Sequence, residues 1–304
     1  MNLITLDKIS KSYSEKVLLD NVTLNINEGD KIGLIGLNGA GKSTLLKIVA
    51  GRDEFFSGEV TKSKDLRIEY LSQNTEYKDE TTVLEQVFHG DNIEMKLLKE
   101  YELLLETINN SEFSEELNNK LIALQSKIDN LNLWNLESEA KTILNKLGIH
   151  NYNVKMSTLS GGQKKRVFLA SALISPCDLL ILDEPTAVLT PQEIQELIQI
   201  IRNLTKDGKS VIIITHKLKE IKAAADHCTI IRRGKYIDTV KVSDTTEDEL
   251  AAMMVGREVN FKVDKKEARP TSNVLEIKDL LVKDSRKVSV VDGLSLEVKA
   301  GEIL

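Results

Sequence analysis

The segment Gly36-Leu37-Asn38-Gly39-Ala40-Gly41-Lys42-Ser43-Thr44 constrains this chain more than any other. It follows the mostly apolar run Lys31-Ile32-Gly33-Leu34-Ile35 and leads into Lys42 to Val49, which reads as a helix. Strand, glycine loop and helix in that order form a phosphate cradle. Glycines let backbone N–H groups converge on phosphate oxygens without a Cβ in the way. The helix N-terminus faces the same anion. Lys42 adds a point charge for the β/γ oxygens, and Ser43 offers a hydroxyl to Mg²⁺. A tight turn without a ligand is the bland alternative, and the flanking strand and helix speak against it.

A second run, Leu179-Leu180-Ile181-Leu182-Asp183-Glu184, is apolar and ends in two acids. Together with Val211-Ile212-Ile213-Ile214 it fits strands buried on both faces of a parallel sheet. A helix over Glu193 to Leu204 lies between the two runs. The expected class is α/β with a mostly parallel core, an antiparallel β subdomain from the alternating segments Leu3–Leu6 and Val22–Ile26, and a helical subdomain. Carboxylates at such a strand end are costly to bury unpaired. Asp183 suits a role at Mg²⁺, and Glu184 suits a base or water-orienting role. Leu159-Ser160-Gly161-Gly162-Gln163 precedes another helical stretch; Ser160 can cap it, and the adjacent glycines can expose an anion site.

Between these motifs the character changes. Leu97, Tyr101, Leu104 and Ile108 recur at helical spacing, as do Leu117, Leu121, Leu124, Ile128 and Leu131. Asn109-Asn110-Ser111 interrupts them with turn chemistry. The pattern predicts an antiparallel helical hairpin within a helical subdomain of about residues 78–165. Its stripes either pack on each other or reach a partner; Trp134 reads as a packing residue.

The ordered set of motifs resembles the ATP-binding cassette (ABC) ATPases: Walker A at 36–44, an LSGGQ signature at 159–163 and Walker B at 179–184. The resemblance covers roughly residues 1–256. It implies a P-loop NTPase fold, ATP and Mg²⁺ as ligands, and ATP hydrolysis. Tyr13 resembles the aromatic that stacks on adenine. Gln73 resembles the Q-loop glutamine near Mg²⁺ and the lytic water. His216 resembles the switch histidine at the γ-phosphate. Gly36 and Asn38 to Thr44 would hold phosphates, with Ser43, Gln73 and Asp183 around the metal and Glu184 as base. The resemblance also implies two cassettes sandwiching ATP head to tail, so that Ser160, Gly161, Gly162 and Gln163 serve the nucleotide held by a second cassette.

Two classes within the family are in play. Gln73 and Leu159 stand 86 positions apart, and the region between them, with Leu133-Trp134-Asn135-Leu136-Glu137, resembles the ABC-F class, soluble tandem cassettes that act on ribosomes. From Ala187 onward the chain resembles the first cassette of simple-sugar or nucleoside importers: Thr215-His216-Lys217-Leu218-Lys219-Glu220, Arg232-Arg233-Gly234-Lys235 and Met253-Met254-Val255-Gly256-Arg257-Glu258. The seam falls within 179–186, which points to a fusion or chimeric product joined at the shared stretch. Thr190 replaces the aspartate usual in the D-loop. The expected partner is therefore a membrane permease or the ribosome, beside a second cassette in a homo- or hetero-dimer. An ATP-binding module with little turnover is a further alternative.

The tail repeats the head. Asn273–Leu280 parallels Asn2–Ile9, and Asp292–Glu302 parallels Asp20–Asp30 at an offset of 272. This reads as a cassette over 1–260, a polar linker over 261–272 and the start of a second cassette over 273–304; its phosphate loop would begin at 308, beyond the last residue. Cys177 and Cys228, the only cysteines, cannot build a disulfide scaffold. No run of about 18 apolar residues is present to span a bilayer, and the N-terminus has no signal-peptide pattern. A net charge of −6 excludes a globally basic surface for nucleic acid. The expected location is cytoplasmic, peripheral at the inner face of the cell membrane.

Overall fold

The computed structural model describes all residues except 14–15, 73–79, 89–92, 111–113, 132, 258–269, 285–287 and 303–304. It divides into two compact units, Met1–Val259 and Asn260–Leu304. In chain order the first unit carries β1 (Asn2–Tyr13), β2 (Lys16–Asn27), β3 (Lys31–Ile35), α1 (Lys42–Val49), β4 (Ser57–Lys62) and β5 (Ile68–Leu71). Next come α2 (Val83–Val87), α3 (Ile93–Asn110), α4 (Glu115–Asn130), α5 (Leu136–Lys146) and α6 (Gly161–Ile174). The chain then alternates through β6 (Leu179–Asp183), α7 (Pro191–Lys206), β7 (Ser210–Ile214), α8 (Leu218–Ala224), β8 (His227–Arg232), β9 (Lys235–Lys241) and α9 (Glu247–Val255). The second unit holds β10 (Asn273–Lys283) and β11 (Ser289–Lys299).

The described strands of the first unit form two sheets. The central one runs β5-β6-β7-β3-β8-β9, parallel except for β9, which lies antiparallel on β8. Every residue of β6 and β7 is buried, as their unbroken apolar runs require of strands covered on both faces. Alternate side chains then serve two cores. Leu180, Leu182, Val211 and Ile213 pack with the helices, among them Leu144 of α5, Leu173 of α6 and Leu197 of α7. Leu179, Ile181, Ile212 and Ile214 pack with α1 and the antiparallel sheet β2-β1-β4, through Leu45, Ile48, Leu6 and Leu24. The period-two alternation of a strand thus places α1, with the phosphate loop before it, on one face and α6 on the other.

The hairpin forms where the two stripes predict it. Leu104, Leu124 and Ile128 are buried, Gln125 Nε2 donates to the Tyr101 hydroxyl at 3.5 Å, and Lys120 pairs with Glu100 at 3.4 Å. Leu131 lies just past the end of α4 and is exposed. Trp134 packs edge-on against Tyr101, with centroids 5.2 Å apart, and its indole N–H donates to Asp129.

One arginine ties the helical subdomain to α7, beside the Lys146–Glu196 ion pair at 3.0 Å. Arg166 on α6 donates to the Val188 carbonyl at 3.2 and 3.1 Å, to the Leu147 carbonyl at 3.3 Å and to Glu193 Oε1 at 2.6 Å. Glu193 also closes a capping box with Thr190, which starts α7 ahead of Pro191. Thr190 therefore acts here as an N-cap.

In the second unit β10 and β11 pair antiparallel. Leu275 faces Val298, Ile277 faces Leu296 and Leu280 faces Leu294, matching Ile4 with Ile26, Leu6 with Leu24 and Ile9 with Val22. Asp279 and Gly293 have positive φ where Lys8 and Asn21 do. Asp279 N–H donates to Ser295 Oγ at 3.0 Å, as Lys8 N–H does to Thr23 Oγ1 at 3.2 Å.

Replacing Arg166 with Met keeps the aliphatic stem but strands Glu193 and two carbonyl groups. We expect a loss of about 2–4 kcal/mol in unfolding free energy, read by urea denaturation. A midpoint equal to wild type would show that the tie carries no stability.

Candidate functional site

The glycine loop connects the carboxyl end of β3 to α1, so its shape is set by a central strand. Gly36 passes so close to β8 that a Cβ there would sit 2.2 Å from the Ile231 carbonyl oxygen. Gly41 has φ +98°, and a Cβ would meet the Leu18 carbonyl oxygen at 2.6 Å. Neither position accepts another residue without moving backbone. Lys42 is buried, and its ammonium donates to the carbonyls of Gly36 at 2.7 Å and Leu37 at 3.1 Å. Burial lowers the Lys42 pKa, against the opposing pull of Glu184 and Asp183.

One cleft is bordered by Leu18, Asn38, Gly39, Gly41, Lys42, Ser43, Thr44, Glu184 and Ile214. The sequence motifs at 36–44 and 179–184, some 140 residues apart, therefore meet at one place. Asp183 ends β6 and is buried. Its Oδ2 accepts a hydrogen bond from the Tyr70 hydroxyl at 3.3 Å, while Oδ1 has no hydrogen-bond partner among the described residues. Burial holds the Asp183 carboxyl above the ordinary carboxylate range; the hydroxyls of Ser43 and Tyr70 pull it back in part. The same burial, with Asp183 beside it, pushes the Tyr70 hydroxyl up.

Glu184 occupies the left-handed region, with φ 52° and ψ 52°, and its N–H donates to the Ile214 carbonyl at 3.0 Å. Such a conformation costs a non-glycine residue of order 1–3 kcal/mol and persists where the surroundings enforce it. It turns the chain at the end of β6, so that Asp183 and Glu184 do not follow the alternation of a continuing strand. His216 follows β7; its Nδ1 lies 3.7 Å from Glu184 Oε1, and its side chain is 58% exposed.

The remaining expected residues fall elsewhere. Tyr13, at the end of β1, is 59% exposed with Lys11 Nζ 4.9 Å from its ring centroid; among the described residues it is Leu18, not Tyr13, that borders the cleft. Gln73 lies outside the described residues, but Leu71 and Ser72 line a neighbouring pocket with Asp183, Glu184 and Phe168. Ser160 caps α6: its hydroxyl accepts from Gln163 N at 3.3 Å, and Ser160 N donates to Gln163 Oε1 at 2.9 Å. Residues 160–163 do not border the phosphate cleft, so this cleft contains one half of the expected constellation. Sequence reasoning missed Tyr70 as the partner of Asp183; the signal available was a tyrosine three residues before Gln73.

Cys177 and Cys228 are free and buried, their thiols pushed up by burial to about 11 and about 12. Among the described residues no helix is long and apolar enough to cross a membrane.

The chain is 40% identical to the nucleoside import ATP-binding protein NupA of Lactococcus lactis over 314 aligned positions, covering 99% of this chain and 56% of NupA. It is 39% identical to the ABC transporter ATP-binding protein YfmR of Bacillus subtilis over 234 positions, covering 77% of this chain and 37% of that protein. The chain thus spans about half the length, or less, of the curated relatives it matches. Among solved structures, a nucleotide-free ATP-binding cassette from an ABC transporter superposes with a TM-score of 0.58 at 25% identity, over 84% of this chain and 96% of that one. The NupA match extends across 179–186 and gives no support to a fusion at that stretch. The family model described as ABC transporter matches residues 19–187, more than half of the chain. On that match this chain belongs to the ABC transporter family.

Proposed function

We propose that the chain binds Mg²⁺-ATP and hydrolyses it as the ATP-binding part of an importer for nucleosides or simple sugars. The observation that carries this reading is the one cleft bordered by both the phosphate loop and Glu184, with Oδ1 of buried Asp183, unpartnered among the described residues, near Lys42 and Ser43. A buried carboxylate oxygen without a donor suits a cation. Ser43 and Asp183 would hold Mg²⁺, with Gln73 as the third expected residue; when bound, it neutralises charge developing on the β- and γ-phosphate oxygens.

The chain's own groups divide the work. Backbone N–H groups of residues 39–44 and the Lys42 ammonium hold the phosphates. Glu184 takes a proton from the attacking water as its oxygen bonds to the γ-phosphorus and the bond to the β-phosphate bridge breaks. His216, 3.7 Å from Glu184, would meet the γ-phosphate; Tyr13, which does not border the cleft, is assigned to adenine on the family resemblance alone. Ser160 to Gln163, away from this cleft, serve a second cassette, so two chains or two halves close over ATP and separate after hydrolysis.

NupA supports the importer reading because its name assigns nucleoside import and its match extends over nearly the whole of this chain, hairpin included. A permease would then be the membrane partner, with this chain peripheral to it. We read residues 1–260 as a cassette, 261–272 as a linker and 273–304 as the beginning of a second cassette, supported by the shared register of β10–β11 and β1–β2. The ribosome reading rests on the α3–α4 hairpin alone. Co-purification with a permease supports the importer; sedimentation with ribosomes at physiological salt would overturn it.

Steady-state phosphate release tests the catalytic assignments. Glu184→Gln should lower kcat by about 10²–10⁴-fold with ATP binding retained, the range for loss of a general base. Unchanged turnover would remove Glu184 from that role. Lys42→Ala should weaken ATP binding by roughly 10–100-fold, the equivalent of one charge-assisted contact; equal affinity by titration calorimetry would contradict the phosphate-loop assignment.

Asp183 gives a pH-dependent test. Its folded pKa is raised, so its favourable contribution is present at low pH and is lost as pH rises through that value. Without Mg²⁺ and nucleotide, Asp183→Asn should melt higher than wild type at neutral pH. The difference should shrink as pH falls into the carboxylate range. Adding Mg²⁺-ATP should stabilise wild type more than the variant. A variant that melts lower at neutral pH without ligand would show that the ionised carboxylate is well compensated.

A further inference from the structure

Behind the cleft three buried polar side chains meet. Glu220, on the first turn of α8, is 7% exposed, Thr186 is 4% and Thr215 is 2%. Glu220 Oε2 accepts from Thr186 Oγ1 at 2.6 Å and from Thr215 Oγ1 at 2.8 Å. Lys217 Nζ lies 3.0 Å from Glu220 Oε1, and the Lys217 N–H donates to Thr215 Oγ1 at 3.1 Å. Thr186 stands two residues after Glu184, and Thr215 immediately before His216. None of the three borders the phosphate cleft.

We infer that Glu220 is a positioning residue for hydrolysis: by binding Thr186 and Thr215 to one carboxylate oxygen it fixes the distance between Glu184 and His216. This rests on the reading that those two residues serve ATP turnover. Two loops that leave different strands have no covalent reason to keep a set spacing. Here two ties hold them, the Glu184 N–H to Ile214 carbonyl bond at 3.0 Å and the Glu220 bridge. Hydroxyl-to-carboxylate bonds are short and about twice as strong as neutral ones, and burial strengthens them further. The bridge sits beside the left-handed turn at Glu184, a conformation that needs external support. A purely packing role at position 220 would call for an apolar side chain; a carboxylate is tolerated there because Oε2 accepts from two hydroxyls and Oε1, without a hydrogen bond among the described residues, lies 3.0 Å from the Lys217 ammonium.

Thr186→Val keeps the shape and deletes one hydroxyl; Thr186→Ser restores it. In wild-type, Val and Ser proteins of matched thermal stability, kcat, KM for ATP and the ring resonance of His216 in nucleotide-free protein are measured. The expected result is a roughly tenfold or greater fall in kcat for Val, with KM within twofold, since small misplacements of catalytic groups carry large rate losses. The His216 resonance moves in Val, and both readouts return in Ser. An unmoved His216 resonance in Val, or a Ser variant that recovers neither readout, overturns the inference. Wild-type protein without turnover would instead overturn the functional reading, and the His216 resonance then decides the bridge alone.

Discussion

The burial of Asp183 is the constraint on which the site depends. β6 is an inner strand with all five residues buried, and a carboxylate at its end loses most of its hydration. Raising its pKa is the direct consequence. What keeps the group in place is a ring of contributions from separate elements: the Tyr70 hydroxyl from β5, the Ser43 hydroxyl and Lys42 charge from α1. One oxygen is still left without a donor among the described residues. A fold under selection for stability alone would place leucine there. The carboxylate makes physical sense where a cation compensates it, and it trades resting stability for that capacity.

Glu184 extends the same logic by one residue. If β6 continued, successive side chains would point to opposite faces, and Glu184 would be directed away from the cleft that Asp183 approaches. The left-handed turn breaks the alternation. It demands backbone strain, and the surroundings supply the support through Ile214 and, beyond it, the hydroxyls of Thr186 and Thr215 on Glu220. Acid, turn and bridge are therefore one arrangement, in which distance from the nucleotide cleft does not measure importance for its geometry.

Local signals in the sequence carried much of this. The glycine loop, the buried runs of β6 and β7, the capping role of Ser160 and the two stripes of the hairpin are encoded within a dozen residues each, and they form where expected. Contacts that cross the chain were not legible. Arg166 reads as one more cation in Lys164-Lys165-Arg166, yet it spans to Val188, Leu147 and Glu193. Tyr70 and Asp183 are 113 positions apart, and the pairing of β5 on β6 brings them together. Thr190, which replaces the aspartate usual in the D-loop, caps α7 together with Glu193, a pairing that the Thr190-to-Glu193 spacing encodes locally.

The two hairpins separate what a sequence fixes locally from what burial adds. β1–β2 and β10–β11 share pairing register, positive-φ positions and the Thr or Ser hydroxyl that accepts the bulge N–H. Their surroundings differ. Ile4, Ile9 and Val22 are fully buried under α1 and the central sheet, while Leu275, Leu280 and Leu294 are 48%, 38% and 45% exposed. If a core were needed to set the bulges, the exposed copy would not repeat them. Register at these positions therefore follows from the positive-φ residues and side-chain-to-backbone bonds within the strands. Burial of the apolar face is a separate contribution, of about 1.5–3 kcal/mol for each large side chain covered, which the first hairpin has and the second lacks among the described residues.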